Sequence, residues 1–354
     1  MLDRVSSFAS SPAMDNQIQQ MQSRMAQLTS EISSGRKTDP AGALGAGASS
    51  LYELHYESDQ QTALQTGITT ASGQLNAVQT ALTSLSSVVQ TISSAALNSN
   101  SAQDPSVLAT QAQDAMGQAV DLLNTQYAGQ SVFAGNDSAT TPMNSLNATG
   151  GPLDTINSVL SAAVTANGGQ PLTAANVPAL LNGLSSVFND TSSNPAQNFS
   201  SAFYLAKDDG KPTTIPVGAT QTVSYNAQAD QPAFRDLFQG LSMLSLLGAP
   251  SSQMDSSAQS ALLQAAQGVI SSAQGELTQT QATLGIAQSQ LQQSSDAQTA
   301  ASQATLQQIT SLEQADTYGD TTQLDQLQTQ LQASYEITAS ISKLSMVTFF
   351  TPGG

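Results

Sequence analysis

The apolar residues of the N-terminal stretch stand at Met14, Ile18, Met21, Met25, Leu28 and Ile32, in alternating steps of four and three. That period is the seam of a coiled coil. Gln, Ser, Thr and Asp cover the rest of the predicted helix, so the stripe is too narrow to be satisfied alone and must lie against a second helix of the same period. The far end of the chain supplies one. Leu324, Leu327, Leu331, Thr338 and Ile341 continue a weaker seam, which predicts that the first and last helices are partners although most of the sequence lies between them. A lone seam is satisfied by an intramolecular bundle with no polymer, whereas paired seams at both chain ends favour assembly between copies.

After the first seam, Ser33-Ser34-Gly35-Arg36-Lys37-Thr38-Asp39-Pro40-Ala41-Gly42 carries Gly35, Pro40 and Gly42, which all oppose a continuous helix and predict a loop. From Leu54 the heptad returns. One position runs Leu54, Gln61, Ile68, Leu75, Leu82, Val89 and Ala96, the other Glu57, Leu64, Ala71, Val78, Leu85 and Ile92, failing only at Gln61 and Glu57. At about 1.5 Å per residue this predicts a helix on the order of 60 Å long, far beyond the usual three to four turns. Asp104-Pro105 supplies an N-cap and first-turn proline for a helix through Leu108, Ala112, Met116, Ala119, Leu122 and Leu123, with Gly129 as its expected end. Ser131-Val132-Phe133-Ala134-Gly135 reads as a short extended segment.

Between about Asn136 and Pro250 the texture changes, since nine of the thirteen prolines fall there and the heptads vanish. This predicts an inserted domain. Its expected helices carry Leu153, Ile156, Leu160 and Val164, then Leu180, Leu181, Leu184 and Phe188. Ala202 to Leu205, Ile215 to Val217 and Thr220 to Asn226 are strand candidates, with a turn at Asp208-Asp209-Gly210. Pro232 opens a last helix bearing Phe234, Leu237, Phe238, Leu241 and Leu244, closed by Gly248 and Pro250. A third seam follows. Leu263, Ile270, Leu277, Leu284 and Leu291 recur every seven residues, with Ala266, Ala273, Thr280, Ala287 and Ser294 three later, and the pattern weakens through Gln298 and Thr305 to Leu312 before Gly319. Large residues facing small ones let helices approach closely.

Composition narrows the functions such a chain can have. Aromatics are only 5% and Trp is absent, which argues against a large globular core, and 8 basic against 25 acidic residues give a net charge of -17 that repels nucleic acid and anionic lipid. The polar surface is instead Gln, Ser, Thr and Asn, which allows close lateral packing of many copies. With no cysteine, neither a disulfide framework nor a thiolate site is available. The start, MLDRVSSFASSPAMDNQ, lacks a cationic and apolar leader, and no run of about 18 apolar residues occurs, so neither a cleaved signal peptide nor a membrane span is expected.

Three motifs in order then carry a resemblance. Glu31-Ile32-Ser33-Ser34-Gly35-Arg36-Lys37 closing the first seam, Tyr127-Ala128-Gly129-Gln130-Ser131-Val132-Phe133-Ala134-Gly135, and Leu331-Gln332-Ala333-Ser334-Tyr335-Glu336-Ile337-Thr338-Ala339-Ser340-Ile341-Ser342-Lys343-Leu344-Ser345 resemble the bacterial flagellins and the related hook-filament junction protein. The resemblance covers roughly residues 14 to 135 and 252 to 350, and the segment after Tyr127 leans toward the junction protein, hook-associated protein type 3. Two departures stand out: a single Asp39 precedes Pro40-Ala41-Gly42 where the family usually carries paired aspartates, and Phe349-Phe350-Thr351-Pro352-Gly353-Gly354 extends past the short apolar ending, with Pro352 stopping the helix before an expected flexible tail.

The resemblance implies a subunit exported unfolded through the flagellar type III system without a cleaved signal peptide, located outside the cell on the flagellum and assembled between hook and filament or within the filament. The expected fold is mainly α: an elongated antiparallel coiled-coil helical rod formed by both chain ends, with an inserted small α+β domain. Its division is 1–43, N-terminal assembly helix and loop; 44–135, N-terminal part of the rod; 136–250, inserted outer domain; 251–316, C-terminal part of the rod; and 317–354, C-terminal assembly helix and tail. The expected assembly interface is Met14, Ile18, Met21, Met25, Leu28, Ile32, Leu324, Leu327, Leu331, Ile341 and Leu344. Implied partners are further copies of the chain, flagellin, hook and other hook-associated proteins and an export chaperone, with no nucleic acid and no membrane.

No catalytic, cofactor or metal residue is expected. His55 is a lone histidine with no cysteine beside it and reads as a surface or packing residue. Asp208 and Asp209 read as turn residues, and the sequons at Asn136, Asn147, Asn189 and Asn198 as chance products of an Asn-, Ser- and Thr-rich chain. Arg24, Arg36 and Lys343 read as isolated solvated or pairing groups. Outside the family, another secreted helical assembly such as a needle-tip or adhesin-like protein fits the same seams. An enzyme borne by residues 136–250 would need a pocket with convergent polar groups.

Overall fold

The computed structural model describes residues 3–102, 104–207 and 210–350, with side chains for residues 14–98, 104–207 and 210–340. The chain is mainly helical. Its elements run α1 (Asp3–Ser34), α2 (Pro40–Leu44), α3 (Ala48–Ala102), α4 (Pro105–Leu123), β1 (Gln126–Tyr127), β2 (Gln130–Ser131), α5 (Pro152–Ala166), α6 (Val177–Phe188), α7 (Phe199–Ala202), β3 (Thr213–Pro216), β4 (Thr222–Tyr225), α8 (Pro232–Ser245), α9 (Ser256–Glu313) and α10 (Thr317–Phe350). The four strands form two small antiparallel pairs, β1 with β2 and β3 with β4. The chain folds into two compact units, one of residues 1–62 and 299–354 and one of residues 63–298.

In the second unit α3 and α9 run antiparallel. Ile68, Ala71, Leu75, Val78, Leu82, Leu85, Val89, Ile92 and Ala96 are buried from α3, and Leu263, Ala266, Ile270, Ala273, Leu277, Leu284, Ala287 and Leu291 from α9. The heptads therefore mark the dry seam. Glutamines flank it: Gln79 Nε2 donates to the carbonyl of Gln281 at 3.1 Å, Gln267 Nε2 to that of Ala96 at 2.8 Å, and Gln288 Nε2 to Asn76 Oδ1 at 2.6 Å. α4 starts as expected, with Asp104 accepting from the N–H of Ser106 and Pro105 in the first turn. It ends at Leu123, short of the expected Gly129. Gly129 and Ala128, both at positive φ, instead form the two-residue turn of the β1–β2 hairpin. The extended segment expected at Ser131–Gly135 is correspondingly reduced to the pairing of Gln130 and Ser131.

The 136–250 segment shares its core with α4 and α9. α8 packs on α4, α5 on α6 and α6 on α8. At the centre Phe188, Phe199, Phe203 and Phe238 are buried, with Phe199 and Phe203 stacked at 5.3 Å. Arg235 lies 4.6 Å from the Phe199 ring centroid and donates to Asp190 Oδ2 at 2.7 Å and to the Phe188 carbonyl at 2.8 Å, tying off the end of α6. The strand expected at Ala202–Leu205 is helix α7 plus a single bridge between Tyr204 and Met143, because Phe199, Ala202 and Phe203 all turn inward on one face. Two of the expected strands are present as β3 and β4. Of the expected turn at Asp208-Asp209-Gly210, the two aspartates lie outside the described residues.

The first unit contains α1, α2, the start of α3, the end of α9 and α10. The interruption expected at Gly319 falls earlier. α10 begins at Thr317, and Asp316 Oδ1 accepts from the Gly319 N–H at 3.0 Å, so the aspartate caps the helix and the glycine lies in its first turn.

Candidate assembly interface

α1 and α10 pack against each other and run antiparallel, as three side-chain contacts fix. Thr338 Oγ1 meets Met14 Sδ at 3.2 Å, Gln22 Nε2 donates to the Tyr335 hydroxyl at 2.9 Å, and Arg24 Nη2 donates to Gln323 Oε1 at 3.4 Å. Met21 and Leu28 are buried in this pair. Met14, Ile18, Met25 and Ile32 from α1, and Leu324, Leu327 and Leu331 from α10, are only half-buried. Ser334 and Thr338 complete the α10 stripe; Ser334 is polar and falls outside the apolar pattern, although it stands three residues after Leu331 and four before Thr338. Ile341 and Leu344 fall on α10, but their side chains lie outside the described residues. A two-helix pair thus leaves a half-open apolar stripe along both partners, and such a stripe is completed by further helices.

Behind this pair the loop after α1 is strapped to the end of α9. Gly35 at φ +69° turns the chain, and Arg36 bridges Gln314, with the Lys37 N–H donating to the Glu313 carbonyl at 2.8 Å and the Ala315 N–H to the Gly35 carbonyl at 3.0 Å. Lys37 Nζ donates to the Leu312 carbonyl at 3.2 Å, placing a cation at the helix C-terminus where the dipole favours it. The Glu313 carboxylate is nearly buried and meets Arg36 Nη2 at 2.8 Å and His55 Nε2 at 2.9 Å. His55 and Arg36 are therefore pairing groups within the first unit. Glu31 accepts from the hydroxyl and the N–H of Thr38; the Thr38 hydroxyl is the larger reason its carboxyl is held below the usual carboxylate range. Asp39 caps α2 by accepting from the Gly42 N–H at 2.9 Å. Seam reading missed Glu31 and Glu313, and the available signal was the adjacent Arg36-Lys37 pair in so acidic a chain.

Higher in α3 the heptad failure at Gln61 is resolved, since its Nε2 donates to Thr305 Oγ1 at 3.1 Å and to Glu57 Oε1 at 3.1 Å. Two grooves are lined by described residues of the second unit. One of 410 Å³ is lined by Val88, Thr91 and Ile92 of α3 and Gln111, Asp114 and Ala115 of α4. The other, of 500 Å³, is lined by Asp121, Asn124, Thr141, Met143, Asn147 and Leu205, and the Asn124 amide there is already bonded to both the N–H and the carbonyl of Met143. Among the described residues no group of three or more His, Asp or Glu is placed to hold a metal ion, and no helix is long and apolar enough to cross a membrane.

Comparison with known families places both ends of the chain. Residues 5–138 match the bacterial flagellin N-terminal helical region, and residues 267–350 match the bacterial flagellin C-terminal helical region. Among curated proteins none matches the chain.

Proposed function

The chain belongs to the bacterial flagellin family, and from that premise we propose that it is the member that joins hook to filament. Flagellins are structural proteins of the extracellular flagellum that assemble into helical filaments, so the chain is a flagellar structural subunit. The observation that carries the assembly reading is the α1–α10 pair, whose half-buried stripes on both helices call for neighbours. In this reading Met14, Ile18, Met25, Ile32, Leu324, Leu327, Leu331, Ile341 and Leu344, set around Met21 and Leu28 that the pair itself already buries, form the dry inner contact between copies. A heterologous contact repeated without closure gives a helical array. The parts 1–43 and 317–354 serve assembly, 44–135 and 251–316 the helical body, and 136–250 the outer surface.

The junction role rests on the Tyr127–Gly135 segment. It forms the β1–β2 hairpin, whose Tyr127 ring occupies the space a side chain at Gly73 would need. Flagellin, hook and the other hook-associated proteins are the proposed neighbours, with an export chaperone before assembly. A filament flagellin is the second reading, because the seams serve either role. Immunogold labelling with analysis of the culture medium of a deletion strain separates them. A single band at the distal end of the hook, with flagellin shed on deletion, is the expected result. Label along the whole filament makes the chain a filament subunit, and absence of label from flagella removes both readings.

A further inference from the structure

Aromatic side chains are distributed unequally between the two units. Every Phe whose side chain is described is buried in the second unit, and the second unit's tyrosines are at most half-exposed. The first unit's four tyrosines instead stand in solvent: Tyr52 is 64% exposed, Tyr56 66%, Tyr318 84% and Tyr335 48%. Tyr52 and Tyr56 are one turn apart on α3, on the side opposite buried Leu51 and Gln61, and Gln60 Nε2 donates to the Tyr56 hydroxyl at 2.6 Å. Exposed Glu53 and Asp59 flank them and have no ion-pair partner among the described residues. Two rigid aromatic rings edged by free carboxylates form a cation-binding face, since tyrosine rings attract a guanidinium and are enriched where proteins dock.

Charge selects the occupant. Copies of a chain with net charge -17 repel, so contact between them is favoured where a cation meets this face. The described cations of the first unit are few. Arg36 is committed to Glu313 and Lys37 to the Leu312 carbonyl. Arg24 is exposed on α1 and donates only to the neutral amides of Gln27 at 2.9 Å and Gln323 at 3.4 Å; it influences Glu31 and Asp320 without an ion pair to either. We propose that the Tyr52–Tyr56 face of α3 in one copy receives Arg24 of a second copy, with Glu53 and Asp59 as its anions. The donor and the acceptor surface differ, so the contact is heterologous and propagates from copy to copy. It lies outside the α1–α10 seam and rests on the reading of the chain as a self-assembling flagellar subunit.

The absence of cysteine makes the test direct. Gln20→Cys and Ser49→Cys place thiols one turn from Arg24 and beside Tyr52, both at exposed positions. Flagella isolated from cells carrying the double variant are treated with a short bismaleimide. A ladder of cross-linked chains from the double variant, with neither single variant forming dimers, is the expected result. Arg24→Glu should reduce the ladder at least tenfold, and adding Glu53→Lys with Asp59→Lys should restore it. Helix content of the purified variants by circular dichroism should match the parent. No ladder from flagella that contain the chain, dimers from a single variant, or a ladder indifferent to Arg24→Glu overturns the contact while leaving the flagellar reading in place. Absence of the chain from flagella overturns both.

Discussion

Gly240 gives a quantitative handle on how tightly the 136–250 segment is bound to the helical body. It is buried on α8, and a Cβ added there would stand 2.6 Å from Ile270 Cγ1 and 3.4 Å from the Ile270 backbone nitrogen on α9. The near contact is a fully buried side chain, so it has little freedom to withdraw. Overpacking of this kind costs about 1–3 kcal/mol. Replacing Gly by Ala inside a helix returns about 1 kcal/mol, so Gly240→Ala should destabilise by roughly 0–2 kcal/mol. Ile270→Ala alone should cost about 2–5 kcal/mol through lost burial and a cavity. In that background the clash is gone and the added methyl fills part of the void. Gly240→Ala should then stabilise by about 1 kcal/mol, a reversal of sign with a coupling of roughly 2 kcal/mol. For a unit the size of residues 63–298, each kcal/mol moves the melting temperature by about 2–4 °C. Urea and thermal unfolding of the four proteins by circular dichroism measure the cycle. Additive effects, or a Gly240→Ala that stabilises the parent, would show that α8 does not press on α9 here.

Three further changes test the same physics elsewhere. Leu75→Asp removes apolar burial worth about 1.5–3 kcal/mol and leaves a desolvated carboxylate, so it should lower the urea midpoint steeply; an unchanged midpoint would mean that face is not dry. Burial, and then the negative charge of Asp236, raise the carboxyl pKa of Glu276, whose Oε2 is buried without a hydrogen-bond partner. A raised folded pKa gives stability that is full below the unfolded value and is lost as pH rises through the folded one, so Glu276→Gln should raise the melting temperature at neutral pH and flatten its decline above the acid range. Burial works to raise the Asp190 carboxyl, but the Ser200 N–H and the Arg235 guanidinium outweigh it and hold it low. That stability is present above the unfolded pKa and is lost as pH falls through the folded one, so Asp190→Asn should lower the melting temperature at neutral pH and narrow its gap from the parent in acid; a constant gap would refute the pairing.

What the sequence revealed, it revealed through period. α3, α9 and the α1–α10 pair follow from steps of four and three, because burial on one helix face is a local pattern repeated many times. α4 began where Asp104-Pro105 placed it, since capping is also local. Gln61, the Ala202–Leu205 segment and the Glu313 cluster were missed for one cause, a partner remote in sequence. Gln61 looked like a broken heptad because Thr305, which satisfies it, lies 244 residues away. Ala202 to Leu205 is a short apolar, aromatic run of strand length, yet the cluster of Phe188, Phe199, Phe203 and Phe238 favours a helical turn that puts Phe199 and Phe203 on one side. Gly129 looked like a helix stop until the pairing of Gln126–Tyr127 with Gln130–Ser131 made it half of a hairpin turn. The Glu313 cluster was hidden for the same reason, as Arg36, His55 and Glu313 come from three separate stretches.

The glutamines have a second role that composition alone did not suggest. Read by themselves they are a neutral, closely packing surface. In the second unit Gln79, Gln267 and Gln288 spend their amides across the α3–α9 seam, two on main-chain carbonyls and one on Asn76. A glutamate could not donate these bonds, and at a main-chain carbonyl it would set two acceptors against each other. Uncharged glutamine therefore closes the flanks of a helix pair without adding to the net charge of -17 that every neighbouring copy would feel. Among the described side chains of α1, Arg24 is the one cation, and it donates to the neutral amides of Gln27 and Gln323, which is why the proposed contact between copies is assigned to it.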